Sequence, residues 1–439
     1  MKKLNFTVYE NQYIIITKKS KNKSKNFFRS VDNMSKKRLA SRVQRTAQSG
    51  LGNIFANGQT ELISFAAGLP DTGSFPKAAL KQAFDQVFDN DNGETLQYHD
   101  SLGLLPLREK LADRLTKQGT PTKTAELMLT QGAQQGIDLV ARLVLNKGDG
   151  LVVEAPTYIG ALANFDAYEP TYHEVNMEPD GMNITQLQKV LLQHDVKLVY
   201  TIPDYQNPTG AVMSLAKRQA LLELANRYNF IILEDSPYRE LCYNGHLLPT
   251  LRSMDTEGRV ISLGSFSKIL APGLRLGWLN ADAELFQDIV ALKAGLDVET
   301  PNLIMQGVNT YLDTNNLDAH IQSINKVYQE KMTFMLQCLQ RELPAGVTYT
   351  KPTGGFFIWL TVPDNIDLGQ LLTDRMLPEG HVSYVPAKNL YPSKAVHNQA
   401  RLNFTNPSLA DIQTGIHRLS EILADTIASK RPSYAFSNK

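Results

Sequence analysis

The chain has 439 residues, 42% hydrophobic and 20% charged, an ordinary globular balance that excludes wholesale disorder. Its 45 Lys and Arg meet 44 Asp and Glu, leaving a net charge of +1 and no electrostatic reason to expect nucleic acid or an anionic membrane as partner. Only Cys242 and Cys338 are present, so no disulfide framework is written here and a reducing cytoplasm fits.

No apolar run approaches the roughly 20 residues needed to span a bilayer. Near the N-terminus, Tyr13–Thr17 (YIIIT) is too short for a signal-peptide core. Residues 1–33 differ in character from the rest, with a basic, low-complexity patch at Lys18–Lys25 (KKSKNKSK) that reads as a solvated tail. Arg29-Ser30 can be encoded as a bacterial ribosome-binding sequence just upstream of Met34, where a more normal amphipathic stretch opens. The expected translation start is therefore Met34.

At this length a large domain plus a smaller one is the natural organisation. From about residue 75 to 310, short apolar runs alternate with amphipathic segments. The runs are Leu127–Thr130 (LMLT), Leu151–Glu154 (LVVE), Lys197–Pro203 (KLVYTIP), Phe230–Glu234 (FIILE), Arg259–Leu263 (RVISL) and Leu274–Leu279 (LRLGWL). Gln134–Leu145 and Leu215–Tyr228 show helical spacing between them. This alternation predicts an α/β fold whose mostly parallel sheet is covered by helices on both faces. Ligands of such folds bind outside the C-terminal ends of the strands. After about residue 320 the pattern changes to a long helix (Ile321–Leu343), a Gly-rich turn (Thr353–Gly355), a strand (Phe356–Leu360) and a terminal helix (Leu409–Ile427). With residues 34–75 this reads as a smaller α+β domain, 321–439, beside a large one, 76–320.

Unusual residues gather at the strand ends. Thr130–Gly136 (TQGAQQG) runs from a strand through a small-residue turn into a helix, where exposed amides favour a phosphate; glycines also occur in plain turns. Pro156 stops LVVE and delivers Tyr158 to the rim, to stack on a flat ring or to pack in the core. Asp204–Gly210 (DYQNPTG) is a tight turn that can present the Asn207 amide to a ligand or be merely structural. Asp235 follows an apolar strand, and burying it requires a partner. A protonated heterocyclic nitrogen is one solution, and a helix N-cap before Ser236-Pro237 is the other.

The richest segment is Ser262–Trp278 (SLGSFSKILAPGLRLGW). There Lys268 lies among small and apolar residues, whose desolvation favours the amine form needed for a Schiff base. Ser265, Ser267 and Arg275 offer hydroxyls and a permanent cation to a phosphate.

In order and spacing these motifs resemble the class I/II aminotransferases of pyridoxal-phosphate (PLP) fold type I. The similarity is greatest to the 2-aminoadipate/aromatic aminotransferases, which also form the C-terminal domains of MocR-type regulators, and it covers about residues 40–430. The resemblance implies a large domain with a mostly parallel seven-stranded sheet, a smaller α+β domain, and transamination between an α-amino acid and a 2-oxo acid, 2-oxoglutarate foremost. PLP is the implied cofactor and no metal is called for. Lys268 would carry the cofactor, Asp235 would pair with its ring nitrogen, and Asn207 and Tyr238 would bind its phenolic oxygen. Tyr158 would stack on one ring face, with Pro237 near the other. Gly132, Ala133, Gln134, Ser265, Ser267 and Arg275 would hold the phosphate. Tyr98 would reach the phosphate of a neighbouring subunit in a homodimer, Arg401 would grip the substrate α-carboxylate, and Gly68 would lie beside the substrate.

Two departures bear on specificity. The stretch Ser49–Ile54 lacks the arginine with which close relatives meet a distal carboxylate, which leans toward aromatic or aliphatic donors. Val385–Leu390 (VPAKNL) departs from the usual Pro-Gly-x-x-Phe pattern at two positions. A β-lyase or decarboxylase on the same fold is the alternative, because such motifs bind the cofactor rather than choose the bond broken. A MocR-type regulator is a more distant one.

Overall fold

The computed structural model describes residues 40, 42, 43, 62–90 and 93–429. The tail, the expected start at Met34 and the Ser49–Ile54 stretch lie outside the described residues.

The first strand, β1 (Ile63–Ser64), is followed by helices α1 (Lys77–Asn90) and α2 (Leu105–Lys117). Strands and helices then alternate: β2 (Leu127–Thr130), α3 (Ala133–Val144), β3 (Gly150–Ala155), α4 (Ile159–Phe165), β4 (Thr171–Glu178), β5 (Gly181–Met182), α5 (Ile184–Gln193), β6 (Val196–Thr201), α6 (Leu215–Tyr228), β7 (Ile231–Asp235), β8 (Val260–Ser265) and β9 (Gly277–Asn280). These nine strands less β1 form one eight-stranded sheet in the order β2-β9-β8-β7-β6-β3-β4-β5. Its interior pairs, from β4 to β8, are parallel, whereas β9 and the two-residue β5 run antiparallel to their neighbours. The expected seven strands are all present, and β5 adds a short ribbon at the edge.

Sequence reading missed β4. Its TYHEVNME is mostly half-exposed and shows only one fully buried residue, so the apolar run that marks a central strand is absent. The expected strand at Leu274 starts later, at Gly277, because Pro272–Leu274 forms a helical turn that Arg275 ends with a left-handed φ of 50°.

Chain order places β3 next to both β4 and β6, so the winding reverses there. At such a reversal the loops leave the sheet in opposite directions and open a crevice. The ends of β3, β6, β7 and β8 surround it. On the sheet's inner face, Gly136 permits close approach of α3, since a Cβ there would lie 2.5 Å from Leu263 Cδ2.

Helices α7 (Ala283–Asp297), α8 (Asn302–Thr314) and α9 (Leu317–Glu342) lead into a second sheet. That sheet is antiparallel, ordered β10-β11-β14-β13, from Thr348–Tyr349, Phe357–Thr361, Gln399–Asn403 and Val385–Pro386. The parallel pair of β1 with β12 (Val382–Ser383) lies apart, and α10 (Leu409–Ser429) packs on α9. One continuous apolar cluster joins the two sheets, from Leu129 and Leu263 to Phe357, Leu402 and Leu419. No helix of the described residues is long and apolar enough to cross a membrane.

Candidate active site

A cavity of about 410 Å³ opens over the strand ends at the reversal. Gly68, Ala133, Gln134, Tyr158, Asn207, Asp235, Pro237, Tyr238, Ser265, Ser267, Lys268, Arg275 and Arg401 all line it. Two expected residues do not. Gly132 lies just behind the wall as the N-cap of α3. Tyr98 is 79% exposed on the outer surface and is absent from its own chain's cavity.

Strand alternation explains how Asp235 arrives there. Glu234 and Asp235 are adjacent at the end of β7, so their side chains leave by opposite faces. Glu234 accepts from the amides of Leu251 and Arg252, at 2.8 and 3.0 Å, at the start of a short helix. Asp235 faces the cavity and does not act as a helix cap. Its Oδ2 accepts from Tyr200 Oη at 2.8 Å, whereas its buried Oδ1 has no hydrogen-bond partner among the described residues. Burial raises this carboxyl to about 6, against the pull of the Tyr200 hydroxyl. An orphaned, buried carboxylate oxygen calls for a cationic donor.

Lys268 Nζ donates to the Gly68 carbonyl at 2.8 Å and lies 5.4 Å from the centre of the Phe356 ring. Burial, with the cations Arg401 and Arg275 nearby, brings its ammonium down to about 8. A reactive amine is therefore available near neutral pH.

At the start of α3, the first amides have no intrahelical partners and point outward. Arg275 reaches the same turn. Its Nη2 lies 3.4 Å from the Gln131 carbonyl, and it forms no ion pair among the described residues. Gly132, at φ 74°, makes room for it, because a Cβ there would sit 2.8 Å from Nη2. Ser265 donates its hydroxyl to Ser267 Oγ at 2.9 Å on the opposite side. Helix amides, two hydroxyls and an unpaired guanidinium suit a phosphate.

Arg401 enters from β14 and is 3% exposed. It donates to Asn207 Oδ1 at 2.9 Å and to the Ala66 carbonyl at 2.7 Å, and it lies 4.2 Å from the Phe357 ring centre. Its buried Nε has no partner among the described residues. Burial draws the guanidinium down to about 10. Asn207 in turn donates to Tyr238 Oη at 3.5 Å. The turn carrying Asn207 is set by Gln206, whose side chain accepts from Thr209 and donates to Pro156 O and to the buried Glu154.

Tyr200, Phe357 and Glu154 escaped the sequence reading as site residues. Tyr200 and Phe357 sit inside apolar strands, where an aromatic residue reads as core. The one available signal was the polar hydroxyl of Tyr200 in an otherwise apolar run beside Asp235.

The model of the family described as aminotransferase class I and II matches residues 60–419. The chain belongs to this family. It is 39% identical over 83% of its length, and 89% of the relative's, to aromatic-amino-acid aminotransferase 1 of Thermococcus litoralis. Among solved structures it resembles the Pyrococcus horikoshii kynurenine aminotransferase, crystallised with PMP, at a TM-score of 0.83 and 37% identity over 91% of this chain and 99% of that one. It also resembles the α-aminoadipate aminotransferase of Thermus thermophilus, complexed with N-(5'-phosphopyridoxyl)-L-leucine, at a TM-score of 0.83 and 32% identity over 89% and 98%. The enzyme is thus a PLP-dependent aminotransferase of fold type I. Its cavity fits that cofactor, being lined by an orphaned carboxylate oxygen, a set of donors suited to a phosphate and a lysine whose ammonium is brought down to about 8.

Proposed function

We propose that this aminotransferase takes its amino group from an α-amino acid with an aromatic, aliphatic or 2-aminoadipate-like side chain and passes it to a 2-oxo acid, 2-oxoglutarate foremost. The observation that carries the reading is Arg401, buried in the wall with a free Nε and no carboxylate partner among the described residues. A fork of this kind matches the α-carboxylate shared by donor and acceptor. The aromatic and aminoadipate names of the relatives support the donor class.

When bound, PLP supplies an aldehyde that bonds amines and a ring that absorbs electrons released at the α-carbon. Lys268 Nζ anchors it, then takes the proton from the α-carbon and returns it to the product side. Asp235 keeps a proton on the ring nitrogen through its free Oδ1. Tyr158 and Pro237 cover the ring's faces, and Asn207 and Tyr238 bind its phenolic oxygen. Gly132, Ala133, Gln134, Ser265, Ser267 and Arg275 hold the phosphate, and Gly68 lies beside the substrate.

Two copies form the active unit in this reading, with the exposed Tyr98 reaching the partner's phosphate. We divide the chain near residue 320, between the eight-stranded sheet and the antiparallel one, and place the enzyme in the cytoplasm, where the free Cys242 and Cys338 stay reduced.

A panel of amino donors offered to the holoenzyme with 2-oxoglutarate tests the assignment. The expected result is stoichiometric glutamate and a new 2-oxo acid, fastest with aromatic or aliphatic donors. Ammonia or carbon dioxide released without an acceptor would instead support a lyase or decarboxylase.

A further inference from the structure

Outside the cavity, α7 contains a lysine that the mechanism does not use. Lys293 is fully buried, and a buried ammonium is costly unless paired. Its partner is Asp297, one turn on, at 2.8 Å from Nζ to Oδ1. The other carboxylate oxygen, Oδ2, accepts from Gln131 Nε2 at 2.7 Å and from Gln135 Nε2 at 2.5 Å. Gln135 also accepts from the Gln131 amide at 2.8 Å, closing a ring around the turn. That turn is the one whose carbonyl meets Arg275 and whose next residue is Gly132. Hydrogen bonds from Lys293, Gln135 and Gln131 outweigh burial and hold the Asp297 carboxyl below its ordinary range.

Asp297 is itself fixed from the other side. The Glu299 amide donates to its carbonyl at 2.7 Å around Val298, whose φ of 65° and ψ of −57° make a γ-turn that a β-branched residue rarely adopts. Ser101 donates to the Val298 carbonyl at 2.6 Å, so the loop after Tyr98 hangs from the same turn.

We propose that Asp297 is a positioning residue for the phosphate end of the PLP site: its carboxylate, paired with Lys293, holds the Gln131–Gln135 turn in the shape that receives the phosphate. The inference rests on the phosphate reading of that turn. It asks of Asp297 no contact with the cofactor, only that two glutamine amides be held against one oxygen. An asparagine at 297 has one acceptor oxygen for three donors and surrenders part of the ring.

The test is PLP dissociation from the holoenzyme on dilution, read from the visible absorbance of the bound cofactor, with Tm measured alongside. Asp297→Asn is expected to weaken PLP binding about tenfold, the usual scale of a lost charge-assisted hydrogen bond. Leu187→Ala, which opens a cavity in a separate apolar cluster under α5, should lower Tm at least as much and leave PLP affinity unchanged. Equal weakening by both variants would reduce Asp297 to a structural residue and overturn the proposal. Unchanged binding in Asp297→Asn, with loss in Arg275→Met, would overturn it while leaving the phosphate reading intact. Unchanged binding in Arg275→Met would remove the phosphate reading and the proposal with it.

Discussion

Tyr200 donates its hydroxyl to Oδ2 of Asp235 at 2.8 Å and so leaves Oδ1 as the buried oxygen without a partner among the described residues, the one that would meet the cofactor nitrogen in the proposed reading. The pair comes from neighbouring parallel strands, β6 and β7, and both side chains are buried. The hydrogen bond lowers the Asp235 carboxyl, opposing the burial that raises it to about 6. Tyr200→Phe should therefore move Asp235 further up and weaken its hold on the ring-nitrogen proton. The expected outcome is a kcat about tenfold lower, from one lost hydrogen bond to a charged group. The acid limb of the kcat profile should also move to higher pH. A variant with the wild-type acid limb would show that Tyr200 only fills space.

Lys268 must lose a proton before it can bond an aldehyde. Burial first, then Arg401 and Arg275, bring its ammonium down to about 8. The rate at which the cofactor-free protein takes up PLP should thus climb with pH and flatten above about 8. Removing one cation with Arg401→Gln raises the lysine and should shift the curve to higher pH. Lys268→Ala should abolish both turnover and the absorbance of the bound cofactor. A pH-independent uptake rate would contradict the assignment.

Arg401 is expected to bind what all substrates share. In Arg401→Lys the planar fork becomes a single ammonium, and the loss of one of two charge-assisted bonds corresponds to about 2 to 3 kcal/mol. That predicts a kcat/KM roughly a hundredfold lower. Phenylalanine and leucine should suffer alike, because the change touches the carboxylate and not the side chain. A loss confined to one donor would place Arg401 at the side-chain end instead.

Glu154 lies under the site, fully buried, and accepts from Thr201 Oγ1 at 2.5 Å and from Gln206 Nε2 at 3.0 Å. Burial raises its carboxyl from 4.5 to about 7. Between those values the folded chain keeps a proton that the unfolded chain has released. Its contribution to stability is therefore present at low pH and is lost as pH rises toward 7, by an amount on the order of 3 kcal/mol. Thermal unfolding of the cofactor-free protein should show Glu154→Gln gaining on the wild type between pH 5 and 8. Asp235 titrates with the same sign in both proteins, so that apart from its repulsion with Glu154 its contribution drops out of the difference. Parallel curves would mean that Glu154 is ionised throughout.

Three of the residues legible in the sequence share one property: they follow apolar strands. Asp235 after FIIL, Asn207 after KLVYTIP and Lys268 after RVISLGSF interrupt patterns that predict burial, so their chemistry shows against its background. Tyr200 and Phe357 do not interrupt anything, since an aromatic residue continues an apolar strand. Strand β4 was hidden for the opposite reason, because its exposed positions carry polar residues and no apolar run marks it. Lys293 and Asp297 have the i,i+4 spacing of an ordinary surface pair, and only tertiary packing buries the lysine completely. Glu234 and Asp235 stand side by side in sequence, and only the strand's period of two, fixed in register by its neighbours, sends one to a helix start and the other to the cavity.

Gly132 separates a backbone requirement from a functional one. Its φ of 74° is unfavourable for any side chain, and an added Cβ would also press on Arg275 Nη2 at 2.8 Å. Gly148 has a φ of 91° but nothing within 4 Å of the added atom. Both alanine substitutions should cost the fold about 1 to 2 kcal/mol through the backbone. Only Gly132→Ala displaces the guanidinium, so only it should weaken PLP binding, by about tenfold if one charge-assisted hydrogen bond to the phosphate is lost. Tm and PLP dissociation measured on the two variants decide the matter. Equal cofactor affinity in both would show that Arg275 can shift with the added methyl group and keep its bond to the phosphate.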